Sequence, residues 1–319
     1  MTMKIKLKDE CLGKRWLTLV RSQMQVASPL AAGVKAWPSS KTSFAATQAA
    51  WRFYNNESVE LSELIVPLRD YAREQISQSD APFVLVAHDW SKLSFPGHDF
   101  RKDLAELSGK HDIGYELTTS LAINPENGTP LAPVEMHLKT GRAILSTRKL
   151  APLPVMHTDQ ILPTMQASTH WKLGRPIVHV IDREADSVGR YRTWDAAGHK
   201  VLIRADDRQV LCDGQRVKLS DVREEVCRQD AFQEAGPALY HGRRASLQVA
   251  EAAVIQYRPA RKSIRKKRVE VRGRPLPMRL ILTLVLDEDG KVLAQWYLLS
   301  NVPAEWADAV KLAHCYYWR

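Results

Sequence analysis

Two short stretches place carboxylates at the mouths of apolar runs. In Val84-Leu85-Val86-Ala87-His88-Asp89-Trp90 a buried-strand pattern reaches a single carboxylate, Asp89, with Ser91 and Ser94 beyond it. In Val178-His179-Val180-Ile181-Asp182-Arg183-Glu184-Ala185-Asp186 a second apolar run ends in four charges within five residues. Side chains converge where the strands of an α/β sheet stop pairing. Asp89 and Asp182, on neighbouring strands, could then share a divalent cation. Oxygen-only ligands with open positions suit Mg²⁺ or Mn²⁺, and such a site serves in-line displacement on a phosphodiester. A plainer reading stands beside this one. A strand-end aspartate is often a helix N-cap. Glu184 and Asp186 fit the first turn of a helix, where carboxylates complement the dipole, with Arg183 pairing with either.

The elements that would hold these residues follow from periodicity. The first eighty residues read as helical, with apolar residues at helical spacing over Ser43 to Asn55 and Ser58 to Gln75. Phe83 to Ala87 reads as a buried strand ending at Asp89. Ile113 to Ile123 and Leu131 to Leu138 read as two more, joined through the turn signal Asn124-Pro125-Glu126-Asn127-Gly128. A helix is predicted from about Thr158 to Trp171, a strand over Pro176 to Ile181, a helix over Ala185 to Ala197 and a strand over Lys200 to Arg204. The stretch from about 206 to 290 reads as an irregular, β-rich insertion. Val292 to Leu299 returns as a strand, and a helix beginning at Pro303 puts Trp306, Val310, Ala313 and Tyr317 on one face. Three consecutive strands followed by βα alternation predict a mixed sheet with helices on both faces, and a ribonuclease-H-like architecture.

Composition excludes several classes. With 45% hydrophobic and 26% charged residues over 319 positions, the chain is expected to fold as a globular protein. No apolar run reaches the ~20 residues that span a bilayer. The N-terminus lacks a secretion signal, so a cytoplasmic location is expected. Four scattered cysteines, Cys11, Cys212, Cys227 and Cys315, argue against a disulfide framework or structural zinc. They read as plain, partly buried thiols. The formal net charge of +10 is localised: Arg258 to Arg279 holds ten basic residues and one acidic residue, Glu270. Such a run is either a solvated loop or a surface for a polyanion, and its self-repulsion favours a phosphate backbone.

With these residues in place, the sequence resembles the bacterial insertion-sequence transposases of family four, cut-and-paste enzymes with a ribonuclease-H-like DDE core. The likeness runs over most of the chain. Ala49-Ala50-Trp51-Arg52-Phe53-Tyr54-Asn55 is similar to part of the family's N-terminal DNA-binding segment. Asp89 in His88-Asp89-Trp90-Ser91-Lys92-Leu93-Ser94-Phe95 matches the first catalytic aspartate. Asp182-Arg183-Glu184-Ala185-Asp186 matches the family motif whose first residue is the second. Arg258-Pro259-Ala260-Arg261-Lys262 looks like the basic part of the family's β insertion, and Trp296-Tyr297-Leu298-Leu299-Ser300 like the strand that returns to the core.

The resemblance implies a helical DNA-binding region over 1–80 and a catalytic core over 81–319, interrupted at about 206–290. It implies Mg²⁺ or Mn²⁺ on Asp89 and Asp182. Double-stranded DNA, both transposon ends and target, would meet Arg258, Arg261, Lys262, Lys266, Lys267, Trp296, Tyr316 and Arg319. Trp296 would accept a base flipped from the duplex, or simply pack in the core. A homodimer is implied for the full-length form. The family signature on the last helix runs Tyr, two residues, Arg, three residues, Glu, six residues, Lys. Tyr316 and Arg319 match its first two members, and the sequence stops there. The expectation is therefore a C-terminally truncated chain that binds DNA and cleaves it poorly or not at all. Two other functions stay open: a catalytically inert DNA-binding remnant or transposition inhibitor, and a metal-dependent phosphohydrolase of small substrates, which would not need the basic run.

Overall fold

The computed structural model describes residues 7, 9–24, 43–95, 97, 101–109, 111–148, 157–264 and 267–319. Helices α1 (Glu10–Met24), α2 (Ser43–Tyr54), α3 (Leu61–Leu64) and α4 (Val66–Ser77) come first. Strands β1 (Val84–Ser94), β2 (Ala105–Gly109), β3 (Asp112–Ile123), β4 (Pro130–Lys139) and β5 (Ile144–Ser146) follow. Then come α5 (His157–Ala167), β6 (Ile177–Ile181), α6 (Val188–Ala196) and β7 (Lys200–Ala205). The predicted insertion holds β8 (Gln209–Cys212), β9 (Gln215–Lys218), α7 (Leu219–Arg228), β10 (Gln233–Tyr240), β11 (Arg243–Gln256), β12 (Ala260–Ile264), β13 (Lys267–Val271) and β14 (Leu276–Leu286). The last elements are β15 (Val292–Ser300) and α8 (Ala309–Tyr317).

The chain is a mixed α/β protein built on one 13-stranded mixed sheet, with a separate two-stranded ribbon, β12–β13. The main path runs β5-β4-β3-β1-β6-β7-β15-β14-β11-β8-β9, with β2 on β3 and β10 on β11. β1, β3 and β4 are antiparallel neighbours, while β6 and β7 run parallel to β1. The stretch predicted as an insertion does not form a layer of its own. β14 and β11 continue the sheet from β15, and only the basic ribbon leaves it.

Several expected boundaries move, each for a local reason. Ser58–Gln75 splits into α3 and α4 at Ile65, next to Pro67, which has no N–H to donate. The helix predicted from Ala185 starts at Val188, after a 3-10 turn at Arg183–Ala185. The last helix starts not at Pro303 but at Ala309, where the Asp308 side chain accepts from the Lys311 N–H at 2.7 Å. Helix α7 lay unnoticed in the irregular stretch, although Leu219, Val222 and Val226 have helical spacing and are buried. Of the thiols, Cys11 and Cys227 are exposed rather than partly buried, and all four are free. Among the described residues, no helix is long and apolar enough to cross a membrane.

The two faces of the central strands differ. Leu85, Ala87, Val178 and Val180 point into one core together with Leu312, Ala313, Cys315 and Tyr316 of α8. Val84, Val86, Ala122, Val134 and Trp171 form a core on the other face, with Ala72 and Ile76 of α4. Alternation along β1 and β6 puts His88 and His179 on that second face. There His88 Nε2 meets His179 Nδ1 at 2.9 Å, and its Nδ1 meets Ser120 Oγ at 3.0 Å. The His179 ring in turn abuts His199 edge-on at 5.6 Å.

Burial drives His88 down to about 4, with the Arg319 and His137 charges lowering it further against the pull of Glu135, and burial holds His179 well below its usual value. Such groups are neutral in the fold and protonate first in the unfolded chain. Between the unfolded value of ~6.5 and the folded value of about 4, the unfolded state binds the extra proton, so stability falls as pH falls. His88 alone should remove about 3 kcal/mol by pH 4, with no dependence from this group above ~pH 7. Urea midpoints measured from pH 7.5 to 4.5 should drop across that window. The drop should be smaller in His88→Asn; an unchanged profile in that variant would exclude the histidine pair as its origin.

Candidate active site

The site is made by a difference in strand length. β1 pairs with β6 in parallel only from Val84↔Ile177 to Ala87↔Val180, because β6 ends at Ile181. β1 itself continues to Ser94 on its other partner, β3, so Asp89 does not end a strand as expected. It stands where the β6 side of the strand has become free. Carrying the register on by two residues sets Asp89 level with Asp182, and both share a face with Leu85, Ala87, Val178 and Val180.

Helix α8 closes this face. Its buried side, Ala309, Leu312, Ala313 and Tyr316, packs on the core and carries the end of the helix over the two aspartates. Tyr316 donates its hydroxyl to Asp182 Oδ1 at 3.0 Å. Arg319 spans the pair, with Nη2 2.8 Å from Asp89 Oδ1 and Nη1 3.4 Å from Asp182 Oδ2. The end of α8 is pinned on two sides. The Tyr317 hydroxyl accepts from the Leu239 N–H at 2.7 Å and donates to its carbonyl at 3.0 Å. Trp318 lies against Gly128, where an added Cβ would come within 2.4 Å of the indole.

Asp182 is both a cap and a site residue. Its Oδ1 also accepts the Arg183 N–H at 2.7 Å, opening the 3-10 turn. Partial burial pushes its carboxyl up, but the Arg183 amide, the Arg319 charge, the Tyr316 hydroxyl and Arg204 outweigh this and hold it below the usual range. Tyr316 responds in the opposite sense: burial, then the Asp182 charge and hydrogen bond, push it up to about 12. It therefore stays a donor at neutral pH.

Glu184 lies in the first turn of the 3-10 helix, but the last carboxylate of the motif does different work from that expected. Asp186 is not in the first turn of a helix. Its side chain is 1% exposed and paired with Arg208, it accepts from the Tyr191 hydroxyl, and its Oδ2 accepts the Asp206 N–H at 2.7 Å. It thus ties the turn after β6 to the one after β7. Arg183 reaches toward the turn after β7, its Nε lying 3.4 Å from Asp206 Oδ1. Local sequence offered no signal for Asp186–Arg208, since the partners are 22 positions apart on different turns.

The remaining expected contacts are spread wider. Trp296 is 8% exposed and packs edge-on against Tyr316, with ring centroids 5.4 Å apart. It is a core residue directly beneath the site. Arg258 is exposed at the root of the β12–β13 ribbon. Lys266 and the side chains of Arg261, Lys262 and Lys267 lie outside the described residues. A residue missed by sequence reasoning, Arg192 of α6, ties down both roots of this ribbon. It donates to the carbonyls of Arg258 (3.0 Å), Gln256 (3.3 Å) and Arg274 (2.7 Å). The basic segment is thereby tethered to the helix that follows the Asp182 turn.

No protein-family model and no curated protein matches this chain.

Two carboxylates at one point are the usual protein share of a Mg²⁺ site, the rest being water and substrate oxygens. Their oxygens already converge on one cationic group, the Arg319 guanidinium, so the donor set fits a cation. Among the described residues, no third His, Cys, Asp or Glu joins them as a metal-binding group.

Proposed function

We propose that the chain is a DNA-binding protein of the DDE transposase kind, acting on phosphodiesters at the Asp89–Asp182 site. The observation that carries the reading is the meeting of Asp89, Asp182, Tyr316 and Arg319, drawn from three distant parts of the sequence, at one point. The strand order β4-β3-β1-β6-β7, three antiparallel strands leading into two parallel ones, supports a ribonuclease-H-like core. The basic run supports a polyanionic partner.

In this reading Asp89 and Asp182 would hold Mg²⁺ or Mn²⁺, which would supply Lewis-acid chemistry at a phosphodiester. Tyr316 keeps its proton and fixes the Asp182 carboxylate through a hydrogen bond. Arg319 presents a planar fork that matches a phosphate as well as a carboxylate. Released from the aspartates, the guanidinium would be free to grip a non-bridging oxygen. The exposed cations about the ribbon, with Arg258 at its root, hold the duplex backbone, and Arg192 sets where they stand.

A second reading, binding without cleavage, is favoured by two observations. Arg319 spans both carboxylates, and only two carboxylates gather there among the described residues. One experiment addresses both. The 319-residue chain should bind a 30-base-pair duplex with log K falling linearly in log salt, at a slope of about −4 or steeper. Alanine at Arg261, Lys262, Lys266 and Lys267 should flatten that slope by about 3. A chain that fails to bind duplex DNA at 50 mM salt would end the proposal. Mg²⁺-dependent nicking that disappears in Asp182→Asn would end the second reading.

A further inference from the structure

A separate recess lies at the opposite ends of the same parallel strands. β6 begins at Ile177 and β7 at Lys200, roughly 15 Å along the sheet from Asp182 at about 3.3 Å per residue. A cavity of about 450 Å³ opens there among Thr169, Lys172, Arg175, His199, Lys200 and Trp306, within the usual size of small-ligand sites. Among the described residues, no aspartate or glutamate lines it. Among the described residues none of its three cations is paired with a carboxylate, Arg175 having only the Ser79 carbonyl at 3.2 Å.

The rim is anchored. Lys172 takes a left-handed conformation at φ 51°, and its carbonyl accepts from Arg73 Nε at 2.7 Å, while the neighbouring Trp171 carbonyl accepts from Arg73 Nη2 at 3.1 Å. On the β7 side the Asn301 side chain donates to the His199 carbonyl at 2.9 Å and accepts the Val201 N–H at 2.9 Å. His199 Nε2 is buried without a hydrogen-bond partner among the described residues. Three like charges focused in a concave wall raise the local concentration of anions.

We propose that this recess binds a phosphate group, held by Lys172, Arg175 and Lys200, with Trp306 walling the moiety that carries it. The phosphate belongs either to a small monoester or to a nucleic-acid backbone, and the site does not depend on the chemistry at Asp89 and Asp182.

The test titrates inorganic phosphate, adenosine monophosphate and a 20-base-pair duplex into the full chain, followed by amide NMR and calorimetry. Phosphate should move the Gly174, Gly198 and His199 resonances of the unaltered chain. Lys200→Gln and Arg175→Gln should each weaken its binding about tenfold, as loss of a charge-assisted contact does, while Asp182→Asn leaves it unchanged. Tighter binding of the monophosphate than of phosphate assigns the source to a monoester. Loss of duplex affinity in the two variants, without binding of the free anions, assigns it to a backbone. The proposal is overturned if neither free anion moves those resonances at tens of millimolar and the variants keep full duplex affinity. Equal shifts in the Arg175→Gln/Lys200→Gln double variant would overturn it as well.

Discussion

Glu135→Ala is expected to lower the unfolding free energy by about 3–5 kcal/mol, enough to unfold a marginal domain of this size at moderate temperature. Glu135 sits in β4 with its side chain 1% exposed. It accepts from His137 Nε2 at 2.8 Å, from Trp171 Nε1 at 3.3 Å and from the Arg148 guanidinium. Arg148, itself only 10% exposed, donates onward to Thr164 of α5 at 3.0 Å. The carboxylate therefore joins the β4–β5 edge to the helix that covers it. Burial pushes the acid up, yet the His137 and Arg148 hydrogen bonds and the Arg148 charge hold it below the usual range. Truncation removes the anion and leaves a guanidinium and an indole N–H unpaired inside, which is why the loss exceeds the worth of any one bond.

Removing both ends of the pair separates that penalty from ordinary packing. Glu135→Met with Arg148→Met should recover most of the loss, because apolar replacements of a buried pair are often neutral or better. Guanidinium denaturation curves at pH 7 decide the matter. A loss below about 1 kcal/mol for Glu135→Ala would mean that water reaches the site and the pair is effectively a surface one. The sign with pH is fixed as well: a depressed carboxyl contributes stability above ~pH 4.3 that is lost as pH falls through its lowered value. This loss sets in at the lower end of the window in which the histidines act and continues below it.

These two buried clusters mark the limit of what could be read in the chain beforehand. The strands that carry Asp89 and Asp182 were legible because each is a run of Val, Leu and Ile bounded by charge, and burial on both faces demands such runs. Their levelling was not. It depends on β6 stopping while β1 runs on, and Trp90 to Ser94 carries no signal for a strand until its long partner β3 is known. Tyr316 and Arg319 came from the likeness to a known motif, and periodicity alone would have missed them. His88 and His179 looked unremarkable because each partners the other 91 positions away; Glu135 has His137 two positions along, but Arg148 and Trp171, which make it a buried anchor, lie 13 and 36 positions off. Two misses had local signals that went unused: the aspartate before α8, a standard N-cap type, and the Leu219–Val222–Val226 spacing of α7.

Arg319→Ala should tighten divalent-cation binding about tenfold while weakening DNA binding, and Asp182→Asn should loosen the cation at least tenfold. The guanidinium rests on both carboxylates, at 2.8 Å from Asp89 and 3.4 Å from Asp182, and is largely shielded, with its side chain 18% exposed. A divalent ion reaching the pair must displace this internal cation, so the apparent affinity is reduced by the strength of that contact. Without Arg319 two carboxylates face each other across a partly buried gap with only the more remote Arg204 charge to offset them, and an external cation relieves their repulsion. Manganese titration followed by electron paramagnetic resonance reads both variants directly. Tighter Mn²⁺ binding in Arg319→Ala together with loss in Asp182→Asn would mean that Arg319 and the metal compete for one position. Unchanged or weaker Mn²⁺ binding in Arg319→Ala would show that the guanidinium helps build the cation site rather than occupying it. Arg319 would then act through the shape of the α8 terminus, and the exchange of guanidinium for metal on the two aspartates would have to be abandoned.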